Sequence, residues 1–201
     1  MIAAGQWRGL MVEPHPEAFA RLRQAYGDNE RVILVNSAIA DRDGRIPFYE
    51  IAAPMSKRDW ELVGSYDALG SLSKEALLSH SWIADVEQRI VETEVECIRF
   101  ESLCERHSID QLDLLLIDTE GYDFEILRGA DLERLSPRLL IYEHALLTDR
   151  DYAECRAMLE HLGYGLVEEW LDTWCLDLRH EDALTARWRE LRPVAPALRL
   201  R

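Results

Sequence analysis

The stretch Leu112-Asp113-Leu114-Leu115-Leu116-Ile117-Asp118-Thr119-Glu120-Gly121-Tyr122-Asp123 decides how this chain is read. Leu112 to Ile117 is apolar apart from Asp113, the pattern of a strand covered on both faces. Asp118 and Glu120 follow at once, and carboxylates at the end of a central strand are costly unless used or solvated. Gly121 permits a tight turn, and a helix is expected from Phe124 to Arg128. Asp123 reads as a first-turn acid that complements the helix dipole. A buried strand running through a glycine turn into a helix is the repeating unit of an α/β fold.

Outward from this segment the alternation continues. Gly9 to Glu13 is a short apolar run ending in an acid, and Pro14 and Pro16 break it. Phe19, Leu22 and Tyr26 follow at helical spacing, with Gly27 closing the helix. Val32 to Ile39 reads as one strand, Asp41-Arg42-Asp43-Gly44 as a turn, and Arg45 to Ile51 as a returning strand. Residues 52–70 carry little pattern and read as a surface excursion. Ser73 is placed to cap a helix through Leu77 and Leu78. Val91, Thr93, Val95 and Cys97 alternate with Glu92, Glu94 and Glu96, which predicts a half-exposed strand with an acidic outer face. Leu139 to Tyr142 predicts another strand. Tyr152, Cys155, Leu159 and Leu162 form a helical stripe closed by Gly163. Leu166 to Trp170 and Thr173 to Leu178 predict an antiparallel pair. The expectation is one α/β domain over 1–178 with a largely parallel sheet, and a tail over 179–201 containing a peripheral helix.

Acidic residues outnumber basic ones 38 to 23, giving a net charge of -15. A groove that tracks a phosphate backbone needs clustered Lys and Arg, so no nucleic-acid partner is expected and a small neutral or cationic substrate is. Cys97, Cys104, Cys155 and Cys175 lack CxxC spacing and sit in apolar segments, so they read as buried thiols. Met1 to Leu10 lack a signal peptide's apolar core, and no apolar run approaches the roughly 20 residues of a membrane span. No membrane association and a cytoplasmic location are expected, and a homo-oligomer is compatible with the composition.

Ligands of open α/β sheets bind beyond the carboxyl ends of the strands, and four such ends are polar here. Glu13 has the placement of an acid that binds a ribose diol, or is a surface carboxylate before a proline turn. Asn36-Ser37-Ala38 offers small residues beside which a flat adenine fits, or simple packing of Ala38. Asp118 and Glu120 are candidate active-site carboxylates. Glu143 and His144 end the Leu139 strand, where His144 is a candidate base if it faces the cleft.

Together these segments resemble the FkbM family of class I methyltransferases. The matching stretches are Val12-Glu13-Pro14-His15-Pro16, Asn36-Ser37-Ala38-Ile39-Ala40-Asp41 with Gly44, and Gly70-Ser71-Leu72-Ser73. Leu115-Leu116-Ile117-Asp118-Thr119-Glu120-Gly121 with Leu127-Arg128-Gly129-Ala130 is the most specific, and Glu143-His144 and Leu162-Gly163-Tyr164 follow in order. The resemblance runs from about Trp7 to Leu178. It implies a Rossmann-like, mostly parallel seven-stranded sheet with an antiparallel last pair. It further implies O-methylation, with S-adenosyl-L-methionine, of a hydroxyl on a small molecule, sugar or natural product. On this reading Glu13, with Pro14 and His15, meets the ribose, and Ser37 and Ala38 lie by the adenine. Asp118 serves both cofactor and catalysis, with Glu120 and His144 as the other catalytic candidates. Ser71, Leu72 and Glu143 fall on the acceptor side. His144 is the first choice of base, Asp118 or Glu120 the second. Asp118, Glu120 and Glu143 also offer oxygen ligands suited to magnesium, but no fixed ligand spacing favours a metal and none is assigned. The family opens with a strand and a glycine-rich turn of the form Asp-x-Gly-Ala-Asn, which here is missing before the Glu13 strand. Two apolar strand edges are therefore expected to lack a partner. The competing reading is a catalytically inactive, methyltransferase-like binding or scaffold protein. A nicotinamide-dependent oxidoreductase would need a GxGxxG turn that the sequence lacks.

Overall fold

The computed structural model describes residues 7–52, 69–191 and 197, and within them the strands form three small sheets. β1 (Gly9–Val12) runs into α1 (Pro16–Tyr26) and returns as β2 (Val32–Val35), parallel to β1 and in register from Gly9↔Val32 to Val12↔Val35. His15 precedes α1 as its cap, its Nδ1 accepting from the Ala18 N–H at 3.3 Å. The expected strand from Val32 to Ile39 is broken at Asn36-Ser37. There the Asn36 side-chain amide donates to the Glu13 and Pro14 carbonyls at 2.7 and 3.1 Å, tying the chain to the end of β1. Beyond that tie, β3 (Ala38–Ala40) joins a different sheet.

That second sheet has the order β3-β6-β4-β5, with β4 (Gly44–Ile51), β5 (Gly70–Ser71) and β6 (Ile90–Arg99). The β4–β6 ladder is antiparallel from Gly44↔Cys97 to Ile51↔Ile90. The period-two pattern of β6 holds in its second half, where Val95 and Cys97 pack with Ala38 and Phe48 and Glu94 and Glu96 face outward; in the first half Val91 and Thr93 are exposed like Glu92. Two short helices, α2 (Lys74–Leu78) and α3 (Val86–Arg89), lie between β5 and β6, and Ser73 Oγ caps α2 at 3.1 Å from Ala76 N. Most of the expected excursion over 52–70 lies outside the described residues.

The third sheet, β7-β8-β10-β9, carries the largest core. It comprises β7 (Leu114–Ile117), β8 (Leu139–Glu143), β9 (Tyr164–Glu169) and β10 (Asp172–Asp177). α4 (Phe100–His107) leads into β7, and α5 (Asp123–Gly129) with α6 (Leu132–Leu135) carries the chain over to β8, which is parallel to β7. α7 (Asp149–His161) joins β8 to the antiparallel hairpin β9–β10. Phe124, Leu127, Leu140, Tyr142 and Leu159 fill the core together with Cys104, Cys155 and Cys175; all four cysteines are free and buried.

Two expectations are corrected. The sheets are mixed and not mostly parallel: four of the seven pairings among the described residues are antiparallel (β4–β5, β4–β6, β8–β10, β9–β10). Nor is β7 covered on both faces, for Leu116 is 60% exposed. Among the described residues β7 is an edge strand: it pairs there with β8 alone, β1 pairs with β2 alone, and no ladder joins β1 to β7. The expected helix of the tail is α8 (Ala183–Trp188), anchored by Trp188 Nε1 donating to Gly165 O at 3.0 Å and by Arg138 bridging to Asp182 at 2.8 Å. Among the described residues no helix is long and apolar enough to cross a membrane.

Asp177 closes β10 with a buried side chain that accepts from the backbone N–H, Nε and Nη2 of Arg179 at 2.9, 2.9 and 2.8 Å. Burial pushes its carboxyl up, but the Arg179 hydrogen bonds outweigh this and hold it below the ordinary value. A depressed folded-state pKa stabilises above the unfolded value, and that stability is lost as pH falls through the folded one. Asp177→Asn is expected to lower the unfolding free energy by about 1–2 kcal/mol near neutral pH. In urea titrations the gap between the native protein and the variant should close as the pH drops below about 4.

Candidate active site at the carboxyl ends of β7 and β8

β7 ends at Ile117, and the chain must reverse into α5 within a few residues. Glu120 and Gly121 accomplish this with consecutive positive φ angles of 55° and 95°. Gly121 is required for a second reason: a Cβ there would meet Ala76 Cβ at 2.6 Å. The turn is fastened from the second sheet by Ser71, whose Oγ donates to Glu120 O at 2.8 Å and accepts from Ser73 N at 2.9 Å. His80 is buried beside it, its Nδ1 3.3 Å from Ala76 O and its Nε2 3.3 Å from Glu120 Oε2. Nothing in the sequence singled out His80, because the contact joins elements forty residues apart in the chain.

Asp123 lies in the first turn of α5, as its position suggested, but it does more than complement the helix dipole. It is fully buried. One carboxylate oxygen accepts from Thr119 Oγ1 and Thr119 N at 2.7 and 3.3 Å, and the other accepts from Glu143 N at 3.1 Å. The Thr119–Asp123 spacing was the available signal, since a hydroxyl four residues before a first-turn acid is placed to donate to it. Through Asp123 the turn after β7 is tied to the end of β8, and Asp118, Glu120 and Glu143 come together with one oxygen from each within 4.8 Å of the others. Asp118 is exposed, Glu120 half-buried, and Glu143 buried at 6% exposure. Burial, then the charges of Glu120, Asp123, Asp118 and Asp172, push Glu143 up to about 9. Asp118 is raised to about 6, first because its carboxyl is crowded by protein atoms although the residue as a whole reaches solvent, then by the charges of Glu120 and Asp172. Burial raises Asp123 to about 7 against the hydrogen bond from Thr119.

The other candidates fall elsewhere. His144 does not face a cleft: it is fully buried, with Nδ1 2.9 Å from Thr173 Oγ1, because the chain beyond β8 turns inward through buried Ala145, Leu146 and Leu147. Glu13 ends β1 with Oε1 accepting from His15 N at 2.7 Å, and burial raises its pKa against that bond and the nearby charges of His15 and Arg21. Pro14 is half-buried, and His15 Nε2 lies 2.6 Å from Glu50 Oε2, so this histidine braces the first sheet against the second. Ser37 and Ala38 are buried, and Leu72 packs against the Ala38–Phe48 cluster. The structure thus gathers Asp118, Glu120, Glu143 and Ser71 at one place and Glu13, Pro14, His15 and Asn36 at another. Two surface depressions of about 440 and 200 Å³ lie along α4 and beside Tyr122 and Ile39, and none of these eight residues lines them.

A family model described as the methyltransferase FkbM domain matches residues 1–166, which include both groups. The chain belongs to the FkbM methyltransferase family. It is 30% identical over 130 residues to the 2-O-methyltransferase NoeI of Sinorhizobium fredii (strain NBRC 101917 / NGR234), an alignment covering 65% of this chain and 50% of that protein. The chain therefore spans about half the length of the curated relative it matches. No solved structure matches. Within this FkbM chain Asp123 is a positioning residue, and its removal strands the Thr119 and Glu143 N–H groups. Asp123→Ala is expected to destabilise the protein by about 2–4 kcal/mol, since each unsatisfied buried group costs about 1–3 kcal/mol. Asp118→Asn removes a charge that its surroundings oppose, so the urea midpoint near neutral pH should stay unchanged or rise slightly.

Proposed function

We propose that this protein transfers a methyl group from S-adenosyl-L-methionine to a hydroxyl of a small molecule, sugar or natural product. The observation that carries the reading is the FkbM match over residues 1–166. The relative named for 2-O-methylation supports oxygen as the accepting atom. In this reading β1–β2 and β7–β8 belong to the Rossmann-like sheet of class I methyltransferases, and the one-sided pairing of β1 and β7 marks the flanks of the family's glycine-rich strand.

The residues at the end of β1 fit the adenosine half of the cofactor. Glu13 is a partly buried strand-end carboxylate with one oxygen fixed by the His15 N–H, which orients the other for a ribose hydroxyl. The methionine half is assigned to none of the described residues. When bound, S-adenosylmethionine supplies an electrophilic methyl on a sulfonium. The chain's own contribution is alignment, which can carry much of the acceleration, and removal of the acceptor's proton. Asp118, the most exposed of the three gathered carboxylates, takes that proton, while Glu120 and Glu143 orient the acceptor. His144, buried against Thr173, supports the end of β8 instead of acting as the base.

Calorimetry with S-adenosylhomocysteine and methyl transfer to a panel of hydroxyl acceptors test the reading. Glu13→Ala is expected to weaken homocysteine-conjugate binding by about 1.5–3 kcal/mol with little change in melting. Asp118→Asn should keep binding and lower turnover by about tenfold or more. Binding without transfer to any acceptor would favour a methyltransferase-like binding or scaffold protein, and neither binding nor transfer would overturn the proposal.

A further inference from the structure

We infer that Glu50, on β4, is a positioning residue for the ribose acid: it fixes the imidazole of His15, and through His15 it sets where the free oxygen of Glu13 stands. The inference rests on the methyl-transfer reading, in which Glu13 meets the cofactor's ribose. His15 is held on every polar atom but its carbonyl: its backbone N–H donates to Glu13 Oε1 at 2.7 Å, its Nδ1 accepts from the Ala18 N–H at 3.3 Å, and its Nε2 lies 2.6 Å from Glu50 Oε2. An ionised carboxylate only accepts, so Nε2 carries the proton; an amide N–H only donates, so Nδ1 carries none. Glu50 therefore selects the neutral tautomer that can cap α1. The charge that His15 lends to Glu13 belongs to the doubly protonated ring, which has no lone pair left for Ala18.

The backbone leaves this task to the side chain. Pro14 and Pro16 hold their own φ near about −65°, and a residue before proline is confined to the extended region. His15 sits there, at φ −72° and ψ 124°. The turn's shape is thus given, but not its placement against the rest of the molecule. Asn36 holds it from the side of β2, donating to the Glu13 and Pro14 carbonyls, and Glu50 ties it to the second sheet. That tie matters because the ribose and adenine sides of the proposed site lie on different sheets. Glu13 follows β1 of the first, whereas Ser37 leads into Ala38 and β3 of the second. A nucleoside is rigid, so both contacts are made together only if the protein holds them at one separation beforehand. β4 is a firm base for this. Glu50 is in register with Gly70 on one side and Val91 on the other, and its neighbours Tyr49 and Ile51 pack into one cluster. The His15 and Glu50 side chains are 13% and 24% exposed, so water screens their contact less than it screens a surface pair.

The test joins histidine ring-nitrogen NMR of the labelled full chain at neutral pH to calorimetry with S-adenosylhomocysteine, with melting curves alongside. The His15 signals are assigned by their absence from His15→Asn. The unaltered chain and Glu50→Gln, whose amide oxygen still accepts, are expected to show His15 as the Nε2–H tautomer and to bind alike. Glu50→Ala should give a mixed-tautomer signal and weaken binding by about tenfold or more in a chain that still melts cooperatively. His15→Asn keeps a capping oxygen but loses the imidazole. Adding Glu50→Ala to it should weaken binding no further, because Glu50 acts through His15. Glu92→Gln, exposed on β6, should change neither reading. If Glu50→Ala fails to fold, Glu50→Asp, equal in charge and shorter in reach, takes its place. Affinity untouched by the Glu50 variant, or losses that add in full to those of His15→Asn, would overturn the inference and leave the methyl-transfer reading standing. So would an Nδ1–H tautomer of His15 in the unaltered chain. No binding of the homocysteine conjugate by the unaltered chain would overturn both.

Discussion

The carboxylate of Asp123 is the constraint on which the site depends. β7 and β8 are parallel neighbours with Ile117 opposite Tyr142, so their chains leave the sheet side by side. Nothing in the ladder determines where those two exits go next. Asp123, fully buried, grips Thr119 through side chain and backbone and takes the Glu143 N–H with its other oxygen. Asp118 and Glu120 flank Thr119, so holding Thr119 aims both toward the end of β8. The arrangement carries its own electrostatic opposition, since burial raises the pKa of Asp123 while its donors favour the charged form. A buried acid kept under such tension is retained where geometry matters more than the stability of that one group.

The residues flagged for chemistry are also the joints between sheets. His15 reaches Glu50 and so braces the first sheet on the second. Ser71 on β5 bonds to Glu120 O, and Gly121 packs on Ala76, so the second sheet closes on the third. Glu120 tolerates a left-handed backbone, which disfavours a side chain by roughly 1–2 kcal/mol, because Ser71 and His80 hold it from the other side. Loss of activity in a variant at these positions is informative only beside a stability measurement, as a joint and a catalytic group fail alike in an activity assay.

What the sequence made legible was local. The strand–glycine–helix unit around Asp118, the cap at Ser73 and the closing hairpin each depend on neighbours within a few residues, and each formed; the alternation of β6 holds only at Val95 and Cys97. What it hid was long-range. The run from Val32 to Ile39 carries the pattern of one strand, and only the bonds from Asn36 to Glu13 and Pro14, more than twenty residues back, split it between sheets. Leu112 to Ile117 is as apolar as a covered strand, yet coverage depends on a neighbour that the strand's own composition does not specify. Glu143 was legible as a strand-end acid, but its convergence with Asp118 and Glu120 required the Asp123 bridge. Which way His144 faces was open in the sequence, because the inward turn of Ala145 to Leu147 leaves the same apolar signature as a strand.

Charge decides the state of this site. After desolvation, Glu120, Asp123, Asp118 and Asp172 raise Glu143, and Glu120 and Asp172 raise Asp118, in a chain of net charge -15. Acids at this density repel one another, and partial burial strengthens the repulsion because the interior screens it less than water does, so the raised groups relieve it by taking up protons. Groups that repel one another stay together only where the backbone holds them, and here the ends of β7 and β8, tied through Asp123, do so.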